Sequence, residues 1–309
     1  MNDSRVERLQ RELLQGRGAG PAWGNRPGGP PYVEPTALAT LALAASDSAD
    51  RNDPAPVAVR AAADWLASLQ QRDGATGIGP DLPQPRWTTP LSILVWSAID
   101  PVPPARERAV RWLLQSRGNT WVPEAAEPFG HDPRIAGWPW VEGTHSWLEP
   151  TAMAVLALRR AGCADHGRTR DGLRLIRDRV IRTGGWNYGN STVFGADLRP
   201  QPAPTGMALL ALAGLDDRDS PLISLSCDYL DAVLPTTRAP QSLCFGILAL
   251  EAWGRRPAAA DSWLDAAGAS AALRSDSIPQ IAYLLLAFAS RALPLFGISR
   301  PAATEGDNS

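Results

Sequence analysis

The sequence has 309 residues, of which 44% are hydrophobic, and a formal net charge of -2 at pH 7. A chain of this length can bury one large core, and its charge gives no basic surface of the kind that nucleic acids require, so no nucleic-acid partner is expected. All 30 basic residues are arginine, which excludes chemistry that needs a lysine, such as a Schiff base or a phosphate-binding loop.

Six prolines divide the sequence into an internal repeat, and each is followed by small and aliphatic residues. Proline suits the first turn of a helix, because the N–H that it lacks has no partner there. The residues that follow are apolar on nearly all sides, which is typical of a helix buried all round. We therefore expect six inner helices that begin within two residues of these prolines. They are Pro35, Pro90, Pro150, Pro204, Pro240 and Pro279.

Amphipathic segments alternate with the inner helices and are predicted to form an outer layer. They cover residues 57–71, 105–117, 169–182, 221–234 and 261–273, with Ser4 to Gln15 as a candidate sixth. An open stack of such pairs would expose apolar faces at both ends, so a closed double ring is the most economical arrangement. The expected fold is a single all-α domain, an α/α toroid over 16–300, preceded by a helix over 1–15 and followed by a disordered tail over 301–309.

Cysteine use and the first residues bear on the cellular compartment. Three cysteines without a Cys-x-x-Cys pair favour neither disulfides nor structural zinc. The charged residues that follow Met1 do not match a signal peptide, so a cytoplasmic protein is expected. The most apolar segment, Ile281 to Ile298, is interrupted by Arg291 and Pro294, which does not favour a membrane span.

Long loops precede the first four inner helices, and in a ring they would meet on one face. They cover residues 16–34, 72–89, 118–149 and 183–203, and we predict that they wall one cavity, because loops of this length are usually functional or disordered. Aromatic and polar side chains in three of them are predicted to bind a ligand. These are Trp87, Trp138, Trp140, His145, Trp147, Trp186, Asn187 and Tyr188.

Three short motifs carry a family resemblance that extends from about Ala22 to Ala289. Trp65-Leu66 followed by Gln70-Gln71 and Gly74, Trp112-Leu113 followed by Gln115 and Gly118, and Gly184-Gly185-Trp186-Asn187-Tyr188-Gly189 resemble the Gln-Trp repeats of squalene and oxidosqualene cyclases. They are also similar to the repeats of protein prenyltransferase β-subunits. The resemblance implies the same toroid and a small apolar ligand of isoprenoid type. It implies no cofactor, and no obligate protein partner is inferred.

The resemblance also implies an acid. The cyclases protonate an alkene or epoxide with an aspartate at the start of an inner helix, in a motif that ends Asp-Asp-Thr-Ala or Asp-Cys-Thr-Ala. Those positions fall on Glu34-Pro35-Thr36-Ala37 and Glu149-Pro150-Thr151-Ala152, with glutamate in place of aspartate. Glu149 and Glu34 are therefore the candidate catalytic acids, and the alternative is that they only cap their helices.

Other functions stay open from the sequence. A carbohydrate-active toroid would use the two glutamates as a pair beside stacking tryptophans, and a scaffold without activity would fill its ring with side chains. The resemblance to prenyltransferases would call for zinc, and Cys227 beside Asp228 is a poor match to the zinc ligands of that family. A zinc site formed by His131, His145 and a carboxylate has no support from the spacing of these residues. No metal site is predicted, and a peripheral membrane contact is left open.

Overall fold

The computed structural model of the protein describes residues 3–46, 53–122, 130–217, 220–272, 277–289 and 291–299. The predicted tail over 301–309 lies outside these residues. Apart from its loops, the described chain is α-helical, with a small hairpin of β1 (Thr192–Val193) and β2 (Ala196–Asp197) and a 3-10 turn at Leu234–Thr236. The helices are α1 (Asp3–Gly16), α2 (Val33–Ala45), α3 (Ala55–Ser68), α4 (Thr89–Ser97), α5 (Pro104–Gln115), α6 (Leu148–Arg160), α7 (Gly167–Asp178), α8 (Pro202–Leu212), α9 (Pro221–Val233), α10 (Pro240–Ala252), α11 (Ala260–Ala272), α12 (Ile278–Phe288) and α13 (Ala292–Leu295).

The even-numbered helices α2 to α12 form a closed inner ring. Each packs against the next, and α12 packs against α2. These helices are buried along almost their whole length, and in α4 every residue is buried. The odd-numbered helices α3 to α11 cover the ring from outside, and α1 packs against α12 and α3 as the sixth outer helix. The predicted α/α toroid is confirmed.

All six inner helices begin within two residues of the prolines that predicted them. The prolines are not always at the first helical position: Pro35 and Pro150 are the third residue of α2 and α6, and Pro90 is the second of α4. The first four N–H groups of a helix have no intrahelical partner, so proline is tolerated anywhere in that turn.

The loops before the inner helices lie side by side on one face, which we call the mouth. The N–H of Val33 donates to the carbonyl of Ile78 at 2.8 Å, and the guanidinium of Arg86 pairs with Glu142 at 2.7 Å. Further around the ring, Leu148 N–H donates to the carbonyl of Tyr188 at 2.9 Å. Loops 16–34, 72–89, 118–149 and 183–203 are thus joined into one continuous rim.

The opposite end of the ring is covered. Helix α13 packs against both α2 and α10, and its buried Leu293 and Leu295 face the core. Arg159 in the last turn of α6 donates to the carbonyls of Ala211 and Ala213 at 2.7 and 2.8 Å. A cation suits a helix C-terminus, where carbonyls lack partners. This end of the ring is therefore closed by protein, and any access to the interior is at the mouth.

Three buried tryptophans fasten the mouth loops to both helix layers in the same way. The N–H of Trp186 donates to Thr205 Oγ1 on α8 at 3.0 Å, and its indole Nε1 donates to the carbonyl of Ile176 on α7 at 2.7 Å. Gly184 and Gly185, with φ of 88° and 78°, turn the chain into this position. Trp23 with Thr36 and Leu13, and Trp138 with Thr151 and Leu113, repeat the arrangement.

Replacing Thr205 with valine is expected to lower the free energy of unfolding by about 1–3 kcal/mol, because it leaves the buried N–H of Trp186 without its acceptor. Thr205 is fully buried, so water cannot replace the hydroxyl. Thr205→Ser keeps the acceptor and is the matched control. Urea denaturation of both variants checks the expectation, and a Thr205→Val protein that is no less stable than Thr205→Ser would contradict it.

None of the helices in the described part of the chain combines the length and the hydrophobicity that crossing a bilayer requires.

Candidate functional site

Two glutamates stand at the mouth end of the ring, at equivalent positions of two inner helices. Glu34 is the second residue of α2 and Glu149 the second of α6, and both are half-buried. Neither helix has a side-chain cap hydrogen bond. Within the described residues, neither carboxyl makes a hydrogen bond or an ion pair. The geometry therefore does not support a capping role, and both carboxyls are available to a ligand.

Burial changes the acidity of both glutamates. It raises the pKa of Glu34 above 4.5, and it raises the pKa of Glu149 to about 7, with the nearby charge of Glu34 as a second cause. The positive end of a helix favours a carboxylate and so acts in the opposite direction. Here loss of hydration outweighs it. Glu149 can therefore carry a proton near neutral pH.

Two aromatic side chains from the far side of the ring lie in the same interior. Tyr283 on α12 and Phe245 on α10 are buried and meet edge to face, with ring centroids 5.6 Å apart. Burial raises the pKa of Tyr283, and the charges of Glu34, Cys244 and Glu149 raise it further. Tyr283 is thus within electrostatic range of Glu34 on α2 and Glu149 on α6, and Phe245 on α10 is in contact with Tyr283. We call Glu34, Glu149, Phe245 and Tyr283 the ring site.

Sequence analysis missed Phe245 and Tyr283. The available signal was an aromatic residue about one turn after the proline of an inner helix otherwise built from small and aliphatic residues. This signal is not specific, because an aromatic residue on an apolar helix is more often part of the hydrophobic core.

Solved structures of low sequence identity share this fold. The type II terpene cyclase MstE from Scytonema, in complex with geranylgeranyl dihydroxybenzoate, superposes with a TM-score of 0.62 at 15% identity, over 95% of this chain and 98% of that one. A protein from Actinoplanes matches with a TM-score of 0.58 at 16% identity, over 96% and 99%. This chain has the toroid fold of the terpenoid cyclases.

The terpenoid cyclase fold by itself does not define a function. Salmonella alpha-2-macroglobulin contains a similar toroid, with a TM-score of 0.54 at 16% identity over 92% of this chain and 17% of that one. No protein-family model matches this sequence, and no curated protein is similar to it at the sequence level. Function must therefore be argued from the site.

Within this terpenoid cyclase fold, two of the predicted ligand-binding tryptophans are structural. Trp138 and Trp186 are 3% and 1% exposed, and both indole N–H groups are bonded to outer-helix carbonyls. Arg168 stacks on Trp138 at 4.2 Å from its centroid. Both indole rings are buried in this way and offer no surface to a ligand. We therefore assign Trp138 and Trp186 no part in ligand binding.

Trp87 and Trp140 form an edge-to-face pair between α4 and α6, with centroids 4.9 Å apart. They line a gap of only about 10 Å³ together with Pro90 and Pro150, which is room for one water molecule. They close the rim between two inner helices. Both side chains are partly exposed at this rim.

Trp147, Asn187 and Tyr188 position the start of α6. Trp147 precedes the helix as its N-cap residue. Asn187 uses its side chain within its own loop, accepting from the N–H of Tyr188 at 2.8 Å and donating to the carbonyl of Arg199 at 2.6 Å. The Tyr188 carbonyl holds Leu148, the residue before Glu149, while its side chain is 48% exposed.

His145 stacks on Trp147, with centroids 4.8 Å apart, and is exposed. It lines a separate cavity of about 200 Å³ with His131, Asn119, Asn190 and Arg179. We call this the polar loop cavity. Loops 118–149 and 183–203 wall this cavity. We predicted that all four long loops would wall one cavity, and only two of them do so here.

No cluster of three or more histidine, cysteine, aspartate or glutamate side chains with metal-binding geometry occurs among the described residues. Cys227 lies on the outer helix α9, and burial raises the pKa of its thiol to about 11. Burial also raises the pKa of the Cys244 thiol. A protonated thiol is a poor zinc ligand, so this geometry gives no support to a prenyltransferase-like zinc site.

Proposed function

We propose that this protein binds an isoprenoid-type apolar ligand inside the ring and cyclises it by protonation from Glu149. The observation that carries the proposal is the carboxyl of Glu149, which is half-buried, makes no hydrogen bond to a described residue and has a pKa of about 7. It stands at the mouth end of a ring whose helices are apolar. The named complexes of MstE with geranylgeranyl dihydroxybenzoate and with merosterolic acid A add support by likeness.

The proposed reaction is an isomerisation. Glu149 gives its proton to one carbon of an alkene, or to an epoxide oxygen, and a carbocation forms on the adjacent carbon. Internal π bonds then attack the cation and close rings, and loss of a proton from carbon ends the sequence. Glu34 is the other carboxylate of the ring site and is the proposed acceptor of that proton, which it then releases to solvent. Glu149 regains its proton from solvent through the mouth.

Each other member of the ring site has a role in this scheme. The faces of Tyr283 and Phe245 stabilise a cation by their quadrupoles, and neither side chain can capture it as readily as water would. A carboxyl with a raised pKa is protonated at neutral pH but is a weak acid. The scheme therefore favours an epoxide or an electron-rich trisubstituted alkene as the group that is protonated.

The rest of the proposal concerns access. Exposed apolar side chains gather on the mouth loops, among them Leu82, Val122, Val141 and Phe194. We place the protein in the cytoplasm, with a peripheral membrane contact through these loops as the route by which an apolar ligand reaches the ring. The order of the chemical steps does not depend on this route.

Deuterium labelling tests the proposed reaction. The protein is incubated in D2O with geranylgeraniol, squalene, their terminal epoxides and a geranylgeranyl aryl ester, and products are analysed by gas chromatography with mass spectrometry. We expect an isomer of one substrate that carries a deuterium on carbon when it starts from an alkene. Boiled protein is the control. The absence of both binding and any isomeric product across this panel would contradict the proposal.

A further inference from the structure

The polar loop cavity is built differently from the ring site. Its polar lining comes from the amides of Asn119 and Asn190, two histidines, the hydroxyl of Ser146 and the guanidinium of Arg179, and none of the described lining residues carries a carboxylate. Trp121, Pro133 and Ile135 form its apolar wall. At about 200 Å³ it is smaller than the roughly 300 Å³ at which pockets for drug-sized ligands begin. It therefore suits a small molecule with one polar end.

Arg179 gives the cavity its charge. Its side chain is only 5% exposed, and it is fixed by donation from Nη1 to the carbonyl of Gly189 at 2.6 Å. Nε lies 3.4 Å from Asp178, which is also the acceptor for the N–H of Asp132 at 3.0 Å. Nη2 makes no hydrogen bond to a described residue. A buried guanidinium with a free N–H favours an anionic partner.

We propose that the polar loop cavity binds a small carboxylate with an apolar body, such as an aromatic carboxylate. The guanidinium of Arg179 and the amide of Asn190 supply donors for the carboxylate, together with one N–H of the Asn119 amide, whose nitrogen also donates to the carbonyl of Gly143 at 2.5 Å. Trp121 and Ile135 supply the surface for the apolar part. A metal cation fits less well, because it would lie beside the fixed positive charge of Arg179 and the described lining residues offer it no carboxylate ligand.

Titration calorimetry with benzoate tests this site. We expect saturable binding to the wild-type protein with a stoichiometry of one. Asn190→Asp places a negative charge in the cavity with almost no change of shape, and we expect it to weaken benzoate binding at least about tenfold. Asn25→Asp makes the same charge change at an exposed position of loop 16–34. It should leave the affinity unchanged within about twofold.

A second variant and a competing ligand keep the test decisive if Asn190→Asp does not fold. Trp121 is 39% exposed, so Trp121→Ala should fold, and it is expected to weaken benzoate binding at least about fivefold by removing the apolar wall. No saturable binding by wild type at about 10 mM benzoate would overturn the proposal. Tight binding of Zn2+ alone, with no effect of benzoate, would overturn it too. The titration needs no isoprenoid, so its outcome is independent of the proposed cyclase reaction.

Discussion

Glu149→Gln is expected to remove at least about 99% of the turnover of an isoprenoid substrate, because general acids contribute roughly 10²–10⁴-fold to rates. The amide matches the carboxyl in shape but cannot give up a proton. Ligand binding should survive, since the carboxyl of Glu149 makes no hydrogen bond within the described residues that the change would break. Turnover is measured by product analysis at saturating substrate, and binding by quenching of tryptophan fluorescence.

Glu34→Gln is the matched control for this experiment, because it makes the same chemical change at the equivalent position of α2. It removes the charge that contributes to the raised pKa of Glu149. The pKa of Glu149 should then fall, and the loss of activity on the alkaline side should move to lower pH. Glu34→Gln also removes the proposed acceptor of the final proton, but water can take that proton from a carbocation, so at pH 6 Glu34→Gln should retain far more activity than Glu149→Gln. An active Glu149→Gln enzyme would end the assignment of the acid to this residue.

The positions of the inner helices were predictable from the sequence, because proline acts locally. It lacks an N–H and has a fixed φ, so it marks a first turn wherever the fold places that helix. The alternation of fully apolar and amphipathic segments then gave two layers. The closing contact between α12 and α2 followed from the number of repeats, since only closure covers the apolar faces at both ends.

The roles of the tryptophans were not predictable in this way. Trp138, Trp186 and Trp87 all occur in mouth loops, and nothing local separates a buried ring from one that faces a ligand. The difference lies in partners far along the chain, such as Leu113 for Trp138 at 2.9 Å. Thr151 and Thr205 accept the backbone N–H of these tryptophans. The threonine that follows three of the six prolines has a structural role that the pattern alone did not reveal.

Glu34 and Glu149 were found because they follow a motif, whereas Tyr283 was missed because it follows none. Its importance comes from closure of the ring, which brings α12 next to α2 and within range of both carboxyl charges. Such a juxtaposition joins residues more than 200 positions apart. It could not be read from spacing within one repeat.

Glu149 is expected to make a contribution to the free energy of unfolding that falls between pH 5 and pH 8. The variant Glu149→Gln is expected to remove this contribution. The pKa of Glu149 is raised from 4.5 to about 7 on folding, so in this window the folded protein binds more protons than the unfolded chain. The stabilising contribution is present below the unfolded pKa and is lost as the pH rises through the folded one.

Urea denaturation of both proteins at pH 5 and pH 8 measures this effect. Because Glu149 is partly exposed, we discount the full value of about 1.4 kcal/mol for each pKa unit and expect Glu149→Gln to gain on the order of 1–2 kcal/mol relative to wild type between the two pH values. Glu12→Gln, at an exposed position of α1, should show no such gain. If the charged form of Glu149 stabilised the fold, this difference would have the opposite sign, because its replacement would lower the free energy of unfolding at pH 8. A gain in stability combined with a loss of turnover would show that burial of Glu149 costs stability and serves the reaction.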